Sequence, residues 1–329
     1  MADTTAEAAA GQRPVNVSGR PVRISPPLRG DLSSEASFLW GAAAIATALV
    51  AWWLATAPLF PVPAANVAER PPVQEYVPFV SPVMLPGPGA VFEAVPRVIT
   101  ERKLFSNTRV TLMRVVMGFG LAAVIGVPFG VAAACFPAVR AFLYPVTIFG
   151  RNIPVAALIP LTFSLFGIGE FQKVMFLFVA SVAFVISDAT AAVLEVPQRF
   201  VDTAMTLGAS RLQIILKVLV PLAAPVIFNS LRLLFGLAFG YVMLAELVKF
   251  GSDSGGLGDL INMSQRRGDR EPILIVLIVI PMLAYAIDRA LWWLQCDLFP
   301  YRYGGKGRLP RLMHRILYST QSATVGGRP

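Results

Sequence analysis

The sequence predicts an all-α membrane protein, a bundle of six transmembrane helices. Three observations carry that expectation. Of 329 residues, 56% are hydrophobic and only 14% are charged, where a soluble chain carries about 25% charged residues. The deficit is concentrated in six long apolar runs, each near the roughly 20 residues that a helix needs to cross a hydrocarbon core. Period-2 alternation is absent, which argues against a membrane β-barrel.

The runs cover roughly residues 37–57, 109–135, 142–166, 171–194, 221–248 and 272–295. In the first, Ala55-Thr56-Ala57 resembles a signal-peptidase site. A polar stretch precedes it, however, and the run is longer than a signal core, so it reads as a retained helix. The second and fifth runs place Gly126 with Gly130 and Gly236 with Gly240. Glycines at i and i+4 let helix backbones approach closely, either within one chain or across a dimer seam. Pro128, Pro154, Pro160 and Pro281 fall inside runs, where a missing N–H frees a carbonyl and bends the helix.

The connecting segments read differently. Residues 1–36 lack apolar periodicity and are expected to be a disordered cytoplasmic tail. Residues 58–108 form a proline-dense external segment, with a short amphipathic helix expected over Ala90 to Lys103. Residues 109–296 make a five-helix core, and residues 297–329 a basic cytoplasmic tail suited to anionic headgroups. The net charge of +9 invites a nucleic-acid reading, but its placement argues against one. Arg13, Arg20, Arg23 and Arg29 precede the first run, while Arg302, Lys306, Arg308, Arg311, Arg315 and Arg328 follow the last. With six crossings both termini lie on one side, and the positive-inside rule makes that side cytoplasmic. The loop over residues 196–221, with Arg199, Arg211 and Lys217, then faces the cytoplasm too. Cys135 and Cys296 fall near cytoplasmic span ends, where a disulfide is not expected.

No phosphate-binding loop, nucleophile elbow or metal-ligand spacing is present, so no catalytic, cofactor or metal residue is assigned. His314 has no ligand cluster around it. The informative residues are ionisable groups inside apolar runs, which are costly unless paired or hydrated. Snorkelling accounts for Arg114 and Arg289, and Asp288 reads as interfacial. Arg151 with its neighbour Asn152, Asp188, Arg232 and Glu246 are either buried ion pairs or the lining of a translocation path. For an anionic cargo Arg151 is the natural attractor, because a guanidinium presents paired donors to an oxyanion.

The loop from Val196 to Pro221 has a defined form. Pro197 suits a first helical turn, Asp202 favours the helix dipole, and Phe200, Ala204 and Leu207 share one face. Gly208 interrupts the helix and Ser210 can cap the next one. This stretch resembles the EAA loop of ABC-importer permeases: Asp202-Thr203-Ala204, then Gly208, Val218, Val220 and Pro221 stand at the family's places. Asp for Glu, Thr for Ala and the two valines depart in residue type while keeping charge or apolarity. Over roughly residues 104–300, "TLMRVVMGFGLAAVIGVPFGV", "RNIPVAALIPLTFSLFGIGE" and "GLAFGYVMLAELVKFGSDSGGLGDLI" are similar to permeases of the nitrate, sulfonate, taurine and bicarbonate importer group.

The resemblance implies a six-helix bundle of the type I ABC importer permease kind, with a cytoplasmic coupling helix. It also implies cytoplasmic ABC ATPase subunits, an external solute-binding protein and a second permease copy, set in a bacterial inner membrane. On that reading Phe200, Asp202, Thr203, Ala204, Leu207, Gly208, Arg211 and Pro221 couple the chain to the ATPase. Arg151, Asn152, Asp188 and Glu246 are the candidates for a path carrying a small anion. Two rivals stand beside it: a secondary transporter coupled to protons or sodium, which needs a titrating Asp188 or Glu246, and a membrane scaffold without transport.

Overall fold

The first apolar run folds as helix α1, Ser34–Thr56. Two three-residue strands follow, β1 (Phe60–Val62) and β2 (Glu75–Val77), paired antiparallel with Phe60 opposite Val77. This computed structural model describes residues 34–57, 60–62, 75–77, 79–81, 84–248 and 255–303. Of the expected disordered tail 1–36, residues 34–36 already belong to α1 and the rest lie outside the described residues, as do residues 58–59, 63–74, 78 and 82–83 of the proline-dense segment and the basic positions from Lys306 to Arg328 with His314.

A second unit begins at Ser81. Helix α2, Pro88–Thr100, opens with proline at its first position, where the missing N–H is harmless. It buries Val91 and Val98, seven residues apart on one face, and leaves Glu93 and Arg97 exposed. Two long helices form the centre of this unit: α3, Leu104–Cys135, and α6, Glu170–Leu194. Their contact depends on missing side chains. A Cβ on Gly118 would sit 2.6 Å from Leu177 Cβ, and one on Gly130 would sit 2.6 Å from Ala189 Cβ and 2.7 Å from the Ile186 carbonyl. Gly126 is equally tight against Val185. The Gly126–Gly130 pair thus packs within the chain, whereas Gly236 and Gly240 have nothing within 4 Å of their Cβ positions.

The third apolar run departs from a single straight span over residues 142–166. It starts earlier, as α4 (Pro137–Asn152), and breaks before a 3₁₀ turn (Val155–Ala157) and helix α5 (Leu158–Phe166). The two halves are bent by 97°. The cause is Pro154, which lacks an N–H and pushes the residue before it out of the helical region; Ile153 is extended, at φ −68 and ψ 128. The fifth run also starts earlier than Pro221. Helix α7 (Gln198–Thr206) and the short α8 (Arg211–Ile214) lead through a π turn (Ile215–Leu219) into α9 (Val220–Leu247). Helix α10 (Leu257–Arg267), α11 (Glu271–Leu298) and a last turn, α12 (Pro300–Tyr303), complete the unit. Among the described residues, five helices are long and apolar enough to cross a membrane, and six when the bent pair counts as one span. The core lies where α3, α6 and α9 meet, around Val115, Phe119, Leu177, Phe239 and Val242. Phe119, Phe235 and Phe239 stack edge to face there at centroid distances of 5.5 and 5.7 Å.

Candidate functional site

Helix α7 ends because of one glycine. Gly208 has φ +78, left-handed backbone that costs a residue with a Cβ about 1–2 kcal/mol. Its N–H donates to the Met205 carbonyl at 2.9 Å, and the Ala209 N–H donates to the Ala204 carbonyl at 3.0 Å. These two bonds close a helix terminus in the Schellman manner. Two residues on, Ser210 and Gln213 bond reciprocally, the Ser210 N–H to Gln213 Oε1 at 2.8 Å and the Gln213 N–H to Ser210 Oγ at 3.4 Å. That capping box starts α8 afresh in a new direction. A sharp, defined corner results. Within α7, Gln198 Nε2 donates to Asp202 Oδ1 at 3.1 Å, and the Arg199 guanidinium lies 5.1 Å from the Phe200 ring centre.

No residue of α7 is buried. Phe200, Asp202, Thr203, Leu207, Gly208 and Arg211 are exposed and Ala204 is half-buried. Leu207 is 82% exposed and Met205 56%. Pro221 stands apart from this corner, at the second position of α9.

A second feature lies between α4 and α6. A cavity of about 630 Å³ is lined by Arg140, Tyr144, Thr147, Arg151, Asn152, Ser187 and Thr190, among others. Arg140 is occupied with the end of α3, donating to the carbonyls of Ala133 at 3.0 Å and Ala134 at 2.7 Å. Arg151, for which the sequence left open an ion pair or a path lining, has polar partners here. Its Nη1 donates to Ser187 Oγ at 2.5 Å and lies 3.9 Å from Asp188 Oδ1, and its guanidinium sits 5.3 Å from the Phe184 ring centre. The pair is loose and open, with Arg151 44% and Asp188 30% exposed.

Glu246 is elsewhere, at the end of the bundle away from α7. Its carboxylate accepts from Thr111 Oγ1 at 2.9 and 3.0 Å, from Arg114 Nη1 at 2.6 Å and from the Gly258 N–H at 2.9 Å. Arg114 does not snorkel. It is 2% exposed, and it also grips Glu170 through two bonds of 2.6 and 2.5 Å. Lys173 Nζ lies 3.5 Å from the same Glu170. Glycine lets the chain fold onto this centre: Gly256 has φ +109, and a Cβ there would meet Arg114 Nη1 and Glu246 Cδ at 2.6 Å. Asn107 closes the cluster by accepting from the Gly256 N–H at 2.8 Å. Asp288, read as interfacial, pairs with Arg232 at 2.9 Å. Sequence reasoning missed the cluster, although Asn107, Thr111 and Arg114 stand at i, i+4 and i+7 on one helix face.

Comparison with known proteins agrees with this architecture. Residues 126–294 match the family described as "Binding-protein-dependent transport system inner membrane component". The taurine transport system permease protein TauC of Escherichia coli (strain K12) is 31% identical over 227 residues, covering 68% of this chain and 82% of that protein. The bicarbonate transport system permease protein CmpB of Synechococcus elongatus is 29% identical over 195 residues, covering 59% and 69%. Among solved structures, an inward-facing methionine ABC transporter, MetNI, superposes with a TM-score of 0.52 at 26% identity, over 58% of this chain and 94% of that one. An amino acid ABC transporter shares the fold with a TM-score of 0.53 at 16% identity, over 61% and 96%. A bundle of apolar helices bearing a capped loop corner, matched over these lengths, belongs to the binding-protein-dependent transport inner membrane components, as an ABC importer permease of the nitrate, taurine and bicarbonate group.

Proposed function

We propose that this chain is the membrane-spanning subunit of an ATP-driven importer for a small oxyanion or organosulfonate. Residues 196–221 seat in a groove of a separate ABC ATPase subunit, which supplies the hydrolysis that the chain itself does not perform. The single observation that carries this reading is the corner at α7 and Gly208, fixed by two caps, whose apolar side chains are left uncovered by the described residues. With the loop on the cytoplasmic side, both termini are cytoplasmic in a bacterial inner membrane. An external solute-binding protein delivers cargo to the opposite face, and a second copy of the chain completes the path, with the open Gly236–Gly240 face of α9 as its seam. The relatives' names, taurine and bicarbonate transport, support a small anionic or sulfonated cargo.

Arg151, Asn152 and Asp188 form the path element of this proposal, around the cavity between α4 and α6. Arg151 offers donors to an oxyanion, while Asp188 keeps the site from trapping it. Glu246 is held by Arg114 and serves the scaffold. Secondary transport draws no comparable support, since Glu246 and Asp188 each have an arginine partner.

Reconstitution tests the proposal. The chain, co-expressed with its ATPase and binding protein and placed in proteoliposomes, takes up labelled taurine, nitrate or bicarbonate only when ATP is present. Uptake driven by a proton or sodium gradient without nucleotide would overturn it.

A further inference from the structure

Helix α9 begins at a weak junction. In the π turn Ile215–Leu219 the Val220 N–H reaches back to the Ile215 carbonyl, one residue further than in an α-helix. Such turns are rare and concentrate at functional sites. Pro221 and Pro225 follow, neither with an N–H to donate. Pro225 therefore leaves the Pro221 carbonyl without its helical donor. Tyr301, from the C-terminal turn α12, supplies one: its Oη donates to Pro221 O at 2.7 Å. A tyrosine phenol is protonated at physiological pH, so Tyr301 is a neutral donor there.

The contact has support around it. Gln295, 1% exposed near the end of α11, donates Nε2 to Pro225 O at 3.1 Å and to Tyr303 Oη at 2.9 Å. Phe299 packs edge-on against Phe228 of α9 at 5.9 Å and against Tyr301 at 6.1 Å. The last described turn of the chain is thus fastened directly to the carbonyl that Pro225 leaves open, and through Gln295 to the carbonyl of Pro225 itself. The exposed α7 and α8 pack on the π turn that follows them.

We infer that α12 is a strut, and that Tyr301 and Tyr303 are positioning residues stiffening the junction between the loop corner and α9. With the strut in place, a displacement of α7 and α8 is passed to α9. Without it, the π turn and the two prolines absorb the displacement. This inference rests on the reading of residues 196–221 as the surface that an ATPase moves.

The test uses the full chain in lipid nanodiscs, alone and in complex with its ATPase and binding protein. Tyr301→Phe removes one hydroxyl, and Tyr301→Phe with Tyr303→Phe removes both while keeping the rings. In the chain alone, amide hydrogen exchange within residues 215–224 accelerates about fivefold, the loss of one modest hydrogen bond, with α3 and α6 unchanged. In the complex the ATPase co-purifies at wild-type yield, but solute moved per ATP hydrolysed falls severalfold. Wild-type exchange rates in both variants overturn the strut. Faster exchange with an unchanged transport-to-hydrolysis ratio overturns its role in transmission. An ATPase that does not bind the wild-type chain overturns that role too, together with the reading of the loop, and the exchange result then tells the two failures apart.

Discussion

Arg114 on α3 holds Glu246 on α9 at 2.6 Å, with side chains 3% and 0% exposed, across 132 positions of sequence. Thr111 and the Gly258 N–H fill the remaining acceptor sites on the carboxylate, and Glu170 takes the other edge of the guanidinium. One centre therefore ties α3, α6, α9 and the start of α10 together at the end of the bundle opposite the loop corner.

Breaking that centre from one side strands a buried charge. Arg114→Met is expected to lower stability by about 3–5 kcal/mol, because two carboxylates lose their shared cation. Glu246→Gln keeps shape and most donors, and is expected to cost less. Thermal unfolding of the detergent-solubilised chain, followed by tryptophan fluorescence, ranks them. An Arg114→Met protein as stable as wild type would show that the cluster does not hold the bundle.

The glycines separate into two kinds. Gly130→Leu forces a side chain into the Ile186 backbone, and overpacking of this sort costs about 1–3 kcal/mol or more. Gly236→Ala meets open space and should raise helix stability by roughly 0.5–1 kcal/mol. Gly236→Leu with Gly240→Leu should leave the monomer folded and disrupt pairing with a second copy. Size-exclusion chromatography with light scattering reads both effects. A monodisperse Gly130→Leu protein would contradict the packing described for α3 and α6.

Gly208→Trp is expected to leave the spans inserted and to abolish ATPase association, since a bulky residue at φ +78 spoils both the cap and the surface. Leu207→Ser, a change confined to an exposed side chain, should weaken association without altering the fold. Co-purification with a tagged ATPase measures each. Normal recovery with Gly208→Trp would count against the coupling assignment.

Arg151→Leu should reduce ATP-driven uptake severalfold while changing the melting temperature little, because the Arg151–Asp188 pair is long and partly exposed. Asp188→Asn should slow release more than entry. Initial rates and full time courses of uptake distinguish the two. Wild-type uptake by the Arg151→Leu protein would remove this residue from the path.

Much of the architecture was legible because its signals are local. A span declares itself in about 20 consecutive side chains, so the apolar runs fell where helices stand. Gly208 and Ser210 act on backbone groups within four residues, so the loop corner could be read before any packing was known. Pro154 foretold a bend in the third run, but not one of 97°, since the angle depends on what each half packs against.

The sequence by itself determined that the fold is an all-α membrane bundle, about where its apolar spans lie and where the loop corner falls, because hydrophobic runs and caps are read over a few neighbouring positions. The tertiary structure alone decided the partners: Arg114 with Glu246 and Glu170, Arg232 with Asp288, Tyr301 with Pro221. Those pairings are set by which helix faces meet, and a buried charge takes whichever opposite charge the packing brings within reach. Arg114 alone looked like a snorkelling residue; enclosed beside α6 and α9, it became the centre of the bundle's far end.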